Sequence, residues 1–385
     1  MAKKKVLILA NTFFPILGGV ETHLIRLIEE LARENTLEVH LIAYTYINDQ
    51  NNPYNREYKG VRINLLPIAA RNPKGLINRL ELTFYPFYFV YTMVPLFIYT
   101  FFYCLKTPRF DVIHANSHTT GGVALLIARI FGIRRKYISI HGVMFSKFKN
   151  FRRYWLYRTR IKKQFEKFDR IFCIGQRSFC EIRELLGNDH NLEIFRYWVD
   201  DSFFVNDSKF KSEKNSQKTV FYAGRLVKTK GVLILLKIAH EMSQFQFLIA
   251  GDGELKDRVV KESKVATNIK YLGRLDHQEL SHYYKMAAIS VLFAQGDGEG
   301  IPISLIESVA SGTPILATSR GGTKELVDFG VGLITENSQK QMKEKIKKML
   351  TNEKLYKEKR RNCFMVARKY FSKQNARVFI NNYLN

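Results

Sequence analysis

Short apolar runs alternate with stretches of helical periodicity along the whole 385-residue chain, and this alternation leaves few folds open. In the first half the runs fall at 6–11, 39–46, 61–67, 112–115, 137–141 and 171–174. In the second they fall at 219–223, 246–250, 269–272, 289–293, 314–317 and 331–334. Strands separated by helix-length segments pair in parallel, and parallel sheets carry helices on both faces. The stretch 206–218 is polar, rich in Ser, Lys and Asn, and reads as a linker. The expectation is an α/β chain of two Rossmann-like domains, 1–205 and 206–385, facing each other across a central cleft. A helix at about 371–384 is expected to return to the first domain. Ligands of such sheets bind at the carboxyl ends of the strands, which makes the cleft the default site.

The start of the chain, Met-Ala-Lys-Lys-Lys before Val6, has the outline of a signal peptide, but Asn11 and Pro15 interrupt the apolar run. A first strand is the better reading. Cys104, Cys173, Cys180 and Cys363 show no CxxC pair and no metal-type spacing, which fits a reducing cytosol. Sixty-one Lys and Arg against thirty-five Asp and Glu leave a formal charge of +26. That excess points to a polyanion: nucleic acid, an anionic membrane or a phosphorylated substrate.

Three segments carry candidate chemistry. After the first strand, Gly18 and Gly19 precede Val20, Leu24, Leu27, Ile28 and Leu31 at helical spacing. Glycines before a helix let backbone N–H groups approach an anion; a plain tight turn is the alternative. No GxGxxG is present, which disfavours a dinucleotide cofactor. In the second half, Phe221-Tyr-Ala-Gly-Arg225 and Lys230-Gly231 put two cations after a strand, either facing a diphosphate or solvated in a loop. The third segment runs Glu299-Gly300-Ile301-Pro302-Ile303 and on to Glu307. Carboxylates before and inside a helix suit sugar and ribose hydroxyls, and N–H groups near Gly300–Ser304 suit a phosphate. Two solvated glutamates are the bland alternative.

Seven residues separate Glu299 from Glu307, and this run resembles the E-x7-E motif of retaining glycosyltransferases of the GT-B fold, family 4 (glycosyltransferase group 1). Gly18-Gly19-Val20-Glu21, Asp111-Val-Ile-His114, Ile140-His141-Gly142, Ala223-Gly-Arg225, Lys230-Gly231, Ala250-Gly-Asp-Gly-Glu254, Leu272-Gly-Arg274 and Gly321-Gly322 match the same family pattern in order. The resemblance implies a transfer from a UDP- or GDP-sugar to an acceptor hydroxyl with retention, without a metal or other cofactor. It implies that Glu299 faces the donor sugar and that Glu307 holds the ribose hydroxyls. Arg225 and Lys230 would stabilise the leaving diphosphate, Gly18 and Gly19 would close on the phosphates, and Gly300, Ile301, Pro302 and Ile303 would line the donor site. His141 would lie near sugar and acceptor, with His114 a further acceptor-side candidate or a structural residue. Two stretches depart from the family: Phe195-Arg-Tyr-Trp-Val-Asp200, where many members have Pro-Asn-Gly-Val-Asp, and Ala294-Gln295 in place of Pro-Ser.

Residues 82–105 hold no charge, and eleven of the twenty-four are Phe or Tyr. Pro86 and Pro95 divide the run, and a span there would separate Gly18 from His141 across a bilayer. Burial in the first domain and contact with the lipid interface are the two readings left. Residues 134–170 carry thirteen Lys and Arg against Glu166 and Asp169, interleaved with aromatics. Such a belt suits an anionic membrane surface. The expected partners are therefore a nucleotide-sugar donor, a lipid-linked or cell-envelope glycan acceptor, and the cytoplasmic face of a membrane touched peripherally. A nucleic-acid or other polyanion binder has no supporting motif. A sugar-nucleotide epimerase of the same fold is disfavoured by the glutamate pair, and a non-catalytic protein is the remaining rival.

Overall fold

The computed structural model describes residues 3–13, 18–45, 56–67, 85–107, 109–143, 154–205, 218–295 and 300–385. Contacts divide the chain into two compact units. One is built on the N-terminal sheet and includes Ala376–Asn385; the other spans Arg196–Asn375. The division at Phe195 precedes the expected boundary at 205 because Tyr197, Trp198 and Val199 are buried (3%, 2% and 1% exposed) in the second unit. The departure at 195–200 is thus core packing. Most of the expected linker lies outside the described residues.

The first unit holds strands β1 (Lys4–Ala10), β2 (Leu37–Thr45), β3 (Arg56–Tyr58), β4 (Val61–Pro67), β5 (Val112–Ala115), β6 (Arg135–Ile140), β7 (Arg170–Ile174) and β8 (Leu192–Phe195). Its helices are α1 (Gly19–Leu31), α2 (Tyr85–Lys106), α3 (His118–Phe131), α4 (Tyr154–Phe165) and α5 (Gly175–Leu186). The strand order is β3-β4-β2-β1-β5-β6-β7-β8, parallel except for the β3–β4 pair. Val6 lies opposite Val39 on one side and Val112 on the other, and residues 6–9 have no exposed surface. A central strand covered on both faces explains why β1 is a continuous apolar run.

The second unit holds β9 (Thr219–Ala223), β10 (Gln246–Ala250), β11 (Ile269–Gly273), β12 (Ile289–Leu292), β13 (Ile315–Thr318) and β14 (Gly332–Thr335). Its helices are α6 (Val232–Glu241), α7 (Lys256–Val265), α8 (His277–Met286), α9 (Ile303–Ala310), α10 (Thr323–Leu326), α11 (Gln339–Thr351) and α12 (Glu353–Tyr370). All six strands are parallel, in the order β11-β10-β9-β12-β13-β14. This is the doubly wound order, with its switch point between β9 and β12.

The last helix, α13 (Arg377–Leu384), packs on the first sheet. Tyr383 stacks on Tyr137 with centroids 6.1 Å apart, and Phe379 meets Phe172 at 4.7 Å. Tyr137 Oη donates to the Asn382 carbonyl at 2.9 Å, and Arg377 pairs with Glu34 at 2.8 Å.

From Thr92 onward, one face of helix α2 is buried and the other is exposed. Thr92, Met93, Leu96, Thr100 and Cys104 are buried, whereas Val94, Ile98, Phe102 and Leu105 are exposed. Among the described residues, no helix is long and apolar enough to cross a membrane.

Candidate active site

The carboxyl ends of β9 and β12 flank the switch point of the second sheet, and the loops there are interlocked through their backbones. After β9, Gly224 N–H donates to the Ala250 carbonyl (3.1 Å) and Leu226 N–H to that of Asp252 (2.8 Å). Tyr222 Oη donates to the Arg225 carbonyl at 2.9 Å, fixing the start of the basic loop. Its far end is tied to the segment after β12, where Gln295 N–H donates to Thr229 O at 2.9 Å. Arg225 is exposed and Lys230 half-buried on this loop.

Glycine makes this approach possible at two places. Gly231 has φ +75°, and a Cβ there would fall 2.0 Å from the Phe293 carbonyl oxygen. Gly251 has φ +139°, with a Cβ position 1.9 Å from the Gly224 carbonyl oxygen. A side chain at either position meets rigid backbone and a left-handed torsion together. Gly251→Ala is therefore expected to cost about 2–3 kcal/mol of stability. Urea unfolding would read it as a lowered midpoint; a parental midpoint would refute the close approach.

The segment entering α9 lies on the same side. Gly322 N–H reaches the Gly300 carbonyl at 3.4 Å, and a Cβ on Gly322 would fall 2.8 Å from the Ile301 nitrogen. Ile301 and Ile303 are buried, at 2% and 8% exposed. Pro302 is the N-cap of α9, and its carbonyl accepts from Leu305 (3.1 Å) and Ile306 (3.3 Å). Glu307, one turn in, is only 6% exposed. It lies near the buried Tyr284, whose phenol is pushed well up by burial first and by the Glu307 charge second. Of the two readings of Glu307, the solvated carboxylate does not hold, because the side chain is buried. Glu299, expected to face the donor sugar, lies outside the described residues.

In the first unit the switch point lies between β1 and β5, and polar side chains gather at the strand ends there. Asn11 follows β1, Asn116 follows β5 and His141 follows β6. Thr119 Oγ1 donates to Asn11 Oδ1 at 2.8 Å. His141 Nε2–H donates to Asn116 Oδ1 at 2.9 Å, and its ring meets Phe195 edge-on at 5.5 Å. Burial holds the His141 imidazole down to about 3, so it is neutral at pH 7. His114 sits deeper, with no exposed surface. Its Nε2 hydrogen-bonds Ser139 Oγ at 2.8 Å and its Nδ1 the Tyr383 hydroxyl; burial, then His141, hold it down to about 3. His23, 1% exposed, lies 5.6 Å from His141 and is also held well below its ordinary value, chiefly by burial.

Residues 204–369 match the family model described as glycosyl transferases group 1, and residues 17–203 match the model described as glycosyltransferase family 4. The chain belongs to the group 1, family 4 glycosyltransferases. An uncharacterised glycosyltransferase of Methanocaldococcus jannaschii is 24% identical over 376 residues, covering 93% of this chain and 92% of the relative. The O-antigen biosynthesis glycosyltransferase WbnH of Escherichia coli is 28% identical over 147 residues, 38% of this chain and 42% of that one. Among solved structures, Anabaena HepE in complex with UDP and glucose aligns with a TM-score of 0.72 at 16% identity over 99% of both chains.

In this glycosyltransferase the sequence-derived residues fall into two groups. Arg225 and Lys230 follow β9 at the switch point, and Gly300, Ile301, Pro302, Ile303 and Glu307 form the start of α9 and its entry beside Gly322. Gly18, Gly19 and His141 lie at strand ends and helix starts of the first unit. His114 does not belong with them, because both its nitrogens are engaged inside the core. The Gly18 N–H is also not open to an anion: it donates to Glu21 Oε2 at 3.0 Å, and that carboxylate also accepts from Thr12. The glycosyltransferase's own helix supplies the anion there, a capping arrangement that stabilises a helix start. Asn11 and Asn116 were missed. The signal for them was a single Asn at the end of an apolar strand, which is easily taken for a turn residue. Among the described residues, no group of three or more His, Cys, Asp or Glu could hold a metal ion.

Proposed function

We propose that the protein transfers a sugar, with retention, from a UDP- or GDP-sugar to a hydroxyl of a lipid-linked or other cell-envelope glycan. The reading rests above all on the interlocked loops at the switch point of the second sheet, which fix the Arg225–Lys230 loop against the segment after β12. The HepE complex with UDP supports the donor class, and the O-antigen relative supports the acceptor class.

In this reaction the bond from the anomeric carbon to the β-phosphate oxygen breaks. The acceptor oxygen bonds to the same carbon from the same face, and its proton passes to the departing phosphate. Negative charge grows on that phosphate, and Arg225 and Lys230 stabilise it without a metal ion. Glu299 and Glu307 take the sugar and ribose hydroxyls. A neutral His141, oriented by Asn116, hydrogen-bonds near the reacting carbon and is not a nucleophile. The basic belt 134–170 brings the enzyme to the cytoplasmic face of an anionic membrane, where lipid-linked acceptors reside.

Incubation with a panel of UDP- and GDP-sugars and membrane lipid extract, followed by mass spectrometry and NMR of the new anomeric centre, tests this. One donor is expected to give a glycosylated product with the donor's anomeric configuration. An inverted centre would overturn retention. Neither transfer nor donor hydrolysis across the panel would overturn the activity.

A further inference from the structure

We infer that the outer faces of α2 and α3 form a surface that inserts into the interfacial layer of an anionic bilayer. On α2 the exposed apolar side chains are Val94, Ile98, Phe102 and Leu105, at 46%, 49%, 56% and 59%. Their spacing of four, four and three places them on one helical face. On α3, Leu126 and Ile130 are 46% and 47% exposed, again four apart. The two helices touch: Phe101 of α2 meets Phe131 of α3 with ring centroids 5.5 Å apart. Six large apolar side chains therefore lie on two neighbouring helices, where isolated exposed residues would need no explanation.

Charge selects the occupant. Neither α2 nor α3 contains an Asp or Glu, while Lys106 and Arg129 stand in their last turns. An apolar face on two acid-free helices, with Lys106 and Arg129 at their ends, is complementary to acyl chains beneath anionic headgroups. A second copy of the chain would bring +26 against +26, which opposes self-association through this face. No helix among the described residues can cross a bilayer, so the contact is interfacial. The inference rests on the membrane reading above and deepens it: charge brings the protein to the lipid, and this face enters it.

Two measurements test the surface. The first compares vesicle flotation of the protein and of I98S/F102S/L105S, with and without anionic lipid, at low and high salt. The parent is expected to bind anionic vesicles and to keep part of that binding in high salt. The triple variant is expected to bind at least about tenfold more weakly, with unchanged donor hydrolysis. The second places a reporter, F102W in a W155F background, and measures quenching of its emission by lipids brominated along the acyl chain after subtracting that of W155F alone, whose remaining Trp198 is buried. Quenching on binding is expected; an unquenched signal from vesicle-bound protein would overturn the insertion surface and leave the membrane reading standing. No binding of the parent to any vesicle would overturn both. A concentration-dependent dimer that the triple variant abolishes, with vesicle binding unchanged, would assign the face to a second copy.

Discussion

Lys230→Ala and Arg225→Ala are each expected to lower kcat for sugar transfer by about 10²- to 10³-fold, roughly 3–4 kcal/mol of transition-state stabilisation. In the proposed reaction the charge they meet is fully developed only as the glycosidic bond breaks. The loss should therefore fall on kcat more than on KM. Folding should be nearly untouched, because Arg225 is exposed and the loop is held by backbone bonds from Gly224, Leu226 and Gln295. Lys228, exposed on the same 3-10 turn, is the internal control, and Lys228→Ala is expected to turn over like the parent. Parental kcat in both Arg225→Ala and Lys230→Ala would remove the leaving-group role.

Stability is expected to fall steeply between pH 7 and pH 5, by roughly 3–4 kcal/mol from His114 and His141 together. Burial holds both imidazoles down to about 3 in the folded protein, whereas in the unfolded chain they titrate near 6.5. Below about 6.5 the unfolded chain therefore binds protons that the folded one refuses. Stability is full above that pH and drains away as pH falls toward 3. His23 adds in the same direction. Urea unfolding at stepped pH, followed by tertiary absorbance, would show the midpoint falling with acid. His114→Asn is expected to be less stable at pH 7 but to flatten the slope. An unchanged slope in that variant would dissociate the acid response from the histidine.

The parallel sheets were legible because buried strands are continuous apolar runs, and all six strands of the second unit lie within a residue or so of their expected places. Strands β3 and β8 were not. Arg56-Glu-Tyr58 is three largely polar residues at an antiparallel edge, and β8, Leu-Glu-Ile-Phe, is a short strand at the opposite edge. Edge strands share one flank with solvent and lose the apolar signature. The candidate site was legible wherever a glycine or a cation marks a strand end, as at Gly224–Lys230. At Glu307 the sequence leaves both readings open, since nothing in an i, i+3 pattern says whether a carboxylate points to solvent or is buried near a tyrosine. Gly18 shows a related ambiguity: a glycine-rich helix start has the same sequence whether its first donor awaits a ligand or is taken, as here, by Glu21. The run 82–105 was too apolar throughout to show a helical stripe, so only packing could separate its inner from its outer face.

Helix α13 has a consequence for how the protein is made. Phe379 and Tyr383 complete the core around His114, Tyr137 and Phe172, yet residues 196–375 are synthesised between β8 and that helix. The second unit has its whole sequence outside the ribosome first, while the first waits with a vacant aromatic seat. The domain begun earliest is the one finished last, and that interval is when a chaperone would find most to hold.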